Sequence, residues 1–228
     1  MQTLIMLLVC SAISAGAAEK WELDNRIRSL SAKFDVLEHK SDKMVPPEVL
    51  RQARGIVLLD RTKAGVVFAY QGGAGVSMAR DPRTGGWSPV AFVSANEASF
   101  GAQIGAEQDF VVILLMTTNA DHYLTEPSFN FGGEARGTAG DTTAGAGSTV
   151  YTQEHPILVY DDRTGLYGGA AIKGGAVTPD DDANRTYYGR FVTMKDILFG
   201  RVVKPSQSAL DLAATLDAYS RPPPTAAR

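Results

Sequence analysis

The sequence predicts an α+β protein: a Gly-rich, mainly antiparallel β-barrel or sandwich with an N-terminal amphipathic helix and short flanking helices. Apolar residues recur at spacings of three and four between Glu19 and Asp42, as on one face of a helix. Ile56 to Leu59, and the VVILLM run that begins at Val111, are unbroken apolar stretches typical of strands buried on both faces. Ten of the 23 glycines form five adjacent pairs, most of them inside strand-like stretches, which favours closely packed, bent β-structure.

Length and composition fit one compact domain with flanking segments. The chain has 228 residues, 44% of them apolar, and a formal charge of −3, which suits a domain of about 150 to 200 residues and excludes disorder throughout. Without a Lys/Arg run or an RNP-type pattern, this charge gives no attraction to nucleic acid. We therefore expect a secretory signal peptide at 1–18, the amphipathic helix at 19–45, one domain at 46–200, and a C-terminal helix with a disordered Pro-rich tail at 201–228.

Residues 1–18 are typical of a secretory leader. They contain no charged side chain, and their apolar run from Leu4 to Val9 is too short to span a membrane. Cys10, the only cysteine, lies inside this segment, and Val9 is a poor residue to precede a lipidated cysteine. Cleavage near Ala18 would leave a chain with no thiol for a disulfide, a metal site or a nucleophile. We predict a secreted or periplasmic protein.

The N-terminal helix has two interpretations. Around its apolar stripe it carries five cationic and five acidic side chains, and this balance favours a helix that packs on the domain, or pairs with a second copy, over one that seeks anionic lipid. In the second interpretation the stripe enters a membrane and the basic residues meet phosphate groups. The residues predicted for lipid contact are Trp21, Arg26, Ile27, Arg28, Leu30, Lys33 and Phe34, together with Lys173 of the C-terminal core.

Turn and cap signals divide the rest of the chain into short elements. Ala64 to Tyr70 and Gly75 to Arg80 are predicted to pair around a tight Gly turn at Gln71 to Ala74. DPRTGGW at 81–87 predicts a turn that DDRTGLY at 161–167 repeats, by internal duplication or by convergent turn chemistry. Other predicted strands are Ser88 to Ser94, Ser99 to Gly105, Asp109 to Leu115 and the Gly-rich stretch from Phe129 to Thr149, which a low-complexity linker would also explain. The other predicted helices are Glu48 to Arg54, Asn119 to Leu124, Asn184 to Tyr188, Met194 to Phe199 and Ser206 to Tyr219.

TPDDDANRTYYG at 178–189 is the most distinctive stretch. Its alternating Asp and Asn side chains begin like an EF-hand calcium loop, but the sixth and twelfth positions, which need Gly and Glu, hold Arg185 and Phe191. We therefore expect Pro179 to end a strand and one aspartate to cap a helix. The side chains expected to hold this strand exit to the sheet by hydrogen bonds are Asn184, Tyr187 and Tyr188.

Four ordered motifs closely resemble the SYLF-domain family. They are ARGIVLLD at 53–60, GGWSPVAFVS at 85–94, SFGAQIGAEQDFVVIL at 99–114 and the TPDDDANRTYYG motif, and the resemblance spans roughly residues 46–200. It implies a non-catalytic domain that binds membrane lipids, phosphoinositides among them in eukaryotic members, and actin in some fungal ones. It also implies that a helix at the start of the domain is a lipid-binding element.

The sequence offers no catalytic constellation. Its three histidines, His39, His122 and His155, are isolated from one another, and no G-x-S-x-G elbow occurs. We expect no enzyme activity, no metal and no cofactor. The first functional hypothesis is a lipid-binding protein at an envelope membrane, with anionic phospholipids as partners. The second is a structural or protein-interaction domain that uses the helix stripe for a protein partner.

Overall fold

The computed structural model describes residues 18–41, 44–65, 69–99, 105–117, 120–131, 136–138, 157–161 and 175–221. Its helices are α1 (Lys20–Glu38), α2 (Pro47–Gln52), α3 (Ala120–Thr125), α4 (Asp181–Tyr188), α5 (Met194–Leu198) and α6 (Gln207–Tyr219). Its strands are β1 (Gly55–Gly65), β2 (Ala69–Ala79), β3 (Ala91–Ser99), β4 (Gly105–Leu115), β5 (Phe129–Phe131), β6 (Arg136–Thr138), β7 (Ile157–Asp161) and β8 (Gly175–Pro179).

These strands form one sheet, in the order β5-β8-β3-β2-β1-β4-β7-β6. Every pairing is antiparallel except that of β6 with β7. β1 pairs along its whole length with both β2 and β4, so the two predicted apolar strands lie side by side at the centre of the sheet. The predicted α+β class, with a mainly antiparallel sheet that curls like part of a barrel, is confirmed.

Both faces of the sheet are apolar and both are covered by helices. On the face that we call the first, Ile56 and Leu58 of β1 share a core with residues of α1, α4 and α6. On the second face, Val57 and Leu59 share a core with residues of α3 and α5. Because successive strand side chains point to opposite faces, a strand covered on both sides must be apolar throughout. This explains the unbroken apolar run in β1.

The predicted Gly turn at Gln71 to Ala74 is wrong. β1 continues to Gly65 and β2 runs unbroken from Ala69 to Ala79, so the connection between them is 66–68, which lies outside the described residues. A Cβ atom on Gly75 would lie 2.4 Å from the carbonyl oxygen of Leu58. This glycine therefore permits close approach of β1 and β2, which is the other use that a strand makes of Gly.

The predicted turn at 81–87 is confirmed. The Asp81 carboxylate accepts hydrogen bonds from the backbone N–H groups of Arg83 and Thr84, and Gly85 has a φ of 73°, which favours glycine. The turn ends where Arg80 and Trp87 form an isolated antiparallel bridge. Its repeat at 161–167 lies, beyond Asp161, outside the described residues.

Other predicted elements lie partly or wholly outside the described residues. Ser99 ends β3 and Gly105 begins β4, and residues 100–104 between them lie outside the described ranges. Within the Gly-rich stretch from Phe129 to Thr149, only the short strands β5 and β6 and the side chain of Phe129 are described. Residues 1–17 and the tail at 222–228 also lie outside the described ranges.

Candidate functional site

The TPDDDANRTYYG motif forms the junction between β8 and α4. β8 ends at Pro179, and the Asp180 side chain caps α4 by accepting a 3.1 Å hydrogen bond from the Ala183 N–H. Gly189, with a φ of 68°, ends the helix in the left-handed conformation. The motif is therefore a strand exit followed by a capped helix, as predicted.

Two side chains of α4 bond to the backbone of β3. Asn184 is fully buried; its Oδ1 accepts a 2.8 Å bond from the Phe92 N–H, and its Nδ2 donates a 3.1 Å bond to the Phe92 carbonyl. The Tyr188 hydroxyl donates to the Val90 carbonyl at 2.5 Å, and burial raises the pKa of this phenol. The predicted hydrogen bonds to the sheet are confirmed for Asn184 and Tyr188, whereas the Tyr187 hydroxyl bonds to other helices instead.

Tyr187 joins α4 to α1 and α6. Its hydroxyl donates a 2.6 Å bond to Asp24 Oδ1 of α1 and lies 2.6 Å from Ser206 Oγ at the start of α6. Ser208 Oγ also donates to Asp24, at 2.6 Å. Hydrogen bonds from Ser208 and then Tyr187 hold the pKa of Asp24 below its usual value. The polar atoms of this cluster thus bind three helices together.

The apolar stripe of α1 lies inside the protein. Ile27 and Phe34 have no exposed surface and Leu30 is 2% exposed, because α1 lies against β1, β2 and α6. The Phe34 ring meets that of Tyr219 edge-on, with centroids 5.9 Å apart. The stripe therefore packs on the domain, and lipid contact through these residues would require α1 to leave the sheet. Trp21, by contrast, is 60% exposed.

The cationic residues predicted for lipid contact each face a carboxylate of the protein. Arg26 lies 3.4 Å from Asp180, Lys33 lies 2.5 Å from Asp60, and Arg28 lies 3.3 Å from Asp24. Exposed ion pairs of this kind contribute only about 0 to 1 kcal/mol each. The Arg26 pair connects α1 with the end of β8 and the Lys33 pair connects it with the middle of β1, whereas the Arg28 pair lies within α1. The structure does not bring these three side chains together as one phosphate-binding group. Lys173 lies outside the described residues.

Within the described ranges, no group of three or more His, Cys, Asp or Glu residues has the arrangement of a metal site. Nor, in that part of the chain, does any helix have the length and apolar content needed to cross a bilayer.

A second surface, which sequence reasoning missed, is formed by residues 190–204; we call it the 190–204 surface. α4 and α6 pack on the first face of the sheet and α5 on the second, so the chain crosses between faces here and leaves side chains in solvent. Phe191 is 65% exposed, Phe199 38% and Val202 46%. Arg190 donates a 2.5 Å bond to the Val202 carbonyl, which ties the two ends of the segment together.

The 190–204 surface is also cationic. It contains four basic side chains and one carboxylate, Asp196, although the whole chain has a net charge of −3. Asp196 is bound by the Thr193 hydroxyl and backbone N–H, which keeps its pKa low. Arg201 pairs with Asp81. Among the described residues, this segment combines three of the six exposed large apolar side chains with an excess of positive charge.

Comparison with known proteins gives the family. A family model described as "Ysc84: Las17-binding protein actin regulator" matches residues 96–219, more than half of the chain. The chain belongs to this family. The finding confirms the resemblance to the SYLF-domain family that the motifs carry, and the matched range includes α6 as well as β4 and α4.

Curated relatives of this SYLF-domain chain occur in fungi and animals. It is 33% identical over 171 residues to an SH3 domain-containing protein of Schizosaccharomyces pombe, covering 73% of this chain and 39% of that protein. It is 31% identical over 169 residues to LAS seventeen-binding protein 3 of Saccharomyces cerevisiae, covering 72% and 37%. The corresponding figures for the human SH3 domain-containing YSC84-like protein 1 are 28% over 181 residues, 78% and 52%.

The chain thus spans about half or less of the length of these relatives. No solved structure matches it.

Proposed function

We propose that this SYLF-domain protein is a non-catalytic lipid-binding protein that associates peripherally with an anionic envelope membrane through its 190–204 surface. The observation that carries the proposal is the combination of exposed Phe191, Phe199 and Val202 with excess positive charge in one segment. Exposed Phe side chains can enter the boundary between headgroups and acyl chains, and basic side chains favour anionic lipid headgroups. The secreted or periplasmic location remains part of the proposal and rests on residues 1–18.

The estimated free energy of association favours reversible binding to the membrane. A basic side chain near an anionic surface contributes about 1 kcal/mol, and complete burial of a Phe side chain about 1.5 to 3 kcal/mol. Phe191 and Phe199 are only partly exposed, at 65% and 38%, so each gains less than that. Three basic residues and two aromatic ones then supply about 5 to 6 kcal/mol before the cost of ordering the complex. Such a protein leaves and rejoins the membrane readily.

The first experiment is co-sedimentation of residues 19–228 with phosphatidylcholine vesicles and with vesicles containing phosphatidylglycerol, at low and moderate salt. We expect binding to the anionic vesicles that weakens with salt. Phe191→Ser and Phe199→Ser should each reduce it. Leu210→Ser is the matched control, because Leu210 is 49% exposed on α6, outside this segment. Deleting α1 is not a suitable test, because it would uncover the first face of the sheet.

Failure of the wild-type chain to bind either kind of vesicle would refute the lipid proposal. The second candidate function would then lead: a structural or protein-interaction domain with no lipid ligand. It is favoured by the family description, a Las17-binding protein and actin regulator, and by the name of the yeast relative LAS seventeen-binding protein 3. A direct test is co-sedimentation of the same chain with purified actin filaments. Binding that Phe191→Ser abolishes would assign this surface to a protein partner.

A further inference from the structure

A cleft opens beside the 190–204 surface. It lies between α3 and α5, has a volume of about 320 Å³, and is lined by His122, Thr125, Lys195 and Phe199. Its walls are fixed, because α3 and α5 contact each other and bury Leu124 and Ile197, respectively, in the core of the second face. Lys195 and Phe199 belong to both the cleft and the surface, so a molecule at the membrane would reach the cleft directly.

The lining chemistry fits an oxyanion. Lys195 brings an ammonium group and Thr125 a hydroxyl, both of which can donate to phosphate oxygens. Glu126 Oε1 lies 3.1 Å from His122 Nδ1 and orients the ring, and Asp196 lies close enough to Lys195 to feel its charge. Phe199 supplies the apolar side of the cleft.

The size of the cleft limits what can enter. Small-molecule sites usually range from about 300 to 1,000 Å³, so a cleft of about 320 Å³ holds a single headgroup and not a pair of acyl chains. The acyl chains would stay in the bilayer.

We propose that this cleft binds the phosphate group of a lipid headgroup, with Lys195 and Thr125 donating to its oxygens. The inference rests on the proposed membrane association and adds to it a defined headgroup site. Positive charge alone would attract any anionic surface, whereas the cleft recognises the phosphate by contact.

The test compares substitutions of equal charge inside and outside the cleft. Lys195→Gln and Lys204→Gln each remove one charge from the same segment, and both side chains are exposed, so the fold should tolerate them; unfolding curves check this. General attraction predicts an equal loss of about fivefold in binding to phosphatidylglycerol vesicles for both. Contact in the cleft predicts a loss of about twentyfold or more for Lys195→Gln only.

Removal of the Thr125 hydroxyl tests the headgroup site without changing the charge of the protein. Thr125→Val should weaken vesicle binding about fivefold, whereas Thr215→Val, which removes a hydroxyl that bonds within α6 to Asp211, should leave binding unchanged. Equal losses for the two lysine variants, together with no effect of Thr125→Val, would overturn the headgroup site and leave the membrane proposal standing.

A second arm separates a lipid phosphate from free phosphate. Inorganic phosphate is titrated into the wild-type chain against chloride at equal ionic strength, and the amide NMR signals of Thr125 and Lys195 are followed. We expect saturable shifts with phosphate, and vesicle binding that excess phosphate weakens. Saturable shifts in a chain that binds no vesicle would identify a soluble phosphate as the ligand and overturn the lipid assignment.

Discussion

Asn184→Ala should be among the most destabilising substitutions in α4. The wild-type amide is fully buried and makes both hydrogen bonds to the backbone of Phe92. In the variant the Phe92 carbonyl keeps its 3.0 Å bond from the Asp180 N–H, but the Phe92 N–H loses its partner. An orphaned buried donor costs about 1 to 3 kcal/mol, and the lost packing of the amide adds roughly 1 kcal/mol. We expect the free energy of unfolding to fall by about 2 to 4 kcal/mol.

Urea unfolding followed by circular dichroism measures this loss. With a denaturant slope near 2 kcal/mol per M, the midpoint should fall by about 1 to 2 M. Asp182→Ala is the control in the same helix, because Asp182 is exposed and its ion pair with Arg185, at 3.7 Å, also lies in solvent; its loss should stay below about 1 kcal/mol. A loss under about 0.5 kcal/mol for Asn184→Ala, or equal losses for the two variants, would refute the reasoning.

Three further predictions concern α1 and the central strands. Phe34→Asp should unfold the protein at any lipid concentration, because Phe34 is fully buried and an unpaired charge there is strongly unfavourable; a melting curve measures it. Glu38, whose pKa burial raises to about 7, holds its proton in the folded chain after the unfolded chain has lost it. Stability should therefore fall as pH rises from about 4.5 to 7 and then level off, as urea midpoints across this range would show. Gly75→Ala should cost several kcal/mol in urea unfolding, because its Cβ would lie 2.4 Å from the Leu58 carbonyl oxygen and β1 and β2 would have to separate.

A different result would contradict each of these three predictions. A folded Phe34→Asp chain would mean that α1 is not part of the core. For the pH dependence, Glu38→Gln should remove the fall that Glu38 causes, so identical pH profiles for the variant and the wild-type chain would assign the fall to other groups. Gly86→Ala is the control for Gly75→Ala, since its Cβ would meet only the Thr84 hydroxyl oxygen, at 3.5 Å; equal losses would contradict the steric argument.

Local signals in the sequence were sufficient for several elements. The caps at Asp180 and Ser206 and the turn at Asp81 depend on side-chain to backbone bonds within four residues, and such bonds follow from residue type and order. The central strands were recognisable because burial on both faces requires an unbroken apolar run. Glycine was ambiguous, since it serves both tight turns and close strand contact, and at Gly75 the second use applies.

Exposure was harder to predict than element type. An amphipathic stripe hides its apolar side equally well in a membrane and in a core, so the sequence alone left both interpretations of α1 open. The sequence predicts a helix that includes Phe199, but α5 ends at Leu198 and the Phe199 ring is 38% exposed. The cleft combines His122 with Lys195, about seventy residues apart, and no local pattern indicates that they meet.

The bonds between Asn184 and Phe92 have a consequence for association between chains. β8 pairs with β3 from Val93 to Ala95, and at the preceding residue, Phe92, the Asn184 amide takes the hydrogen bonds that another strand would make. Open strand edges are templates on which further chains add. A chain in which α4 has come loose would present such an edge, next to apolar residues of the core. We therefore expect the motif that begins like a calcium loop to reduce aggregation from partly unfolded states, by covering the β3 edge at Phe92.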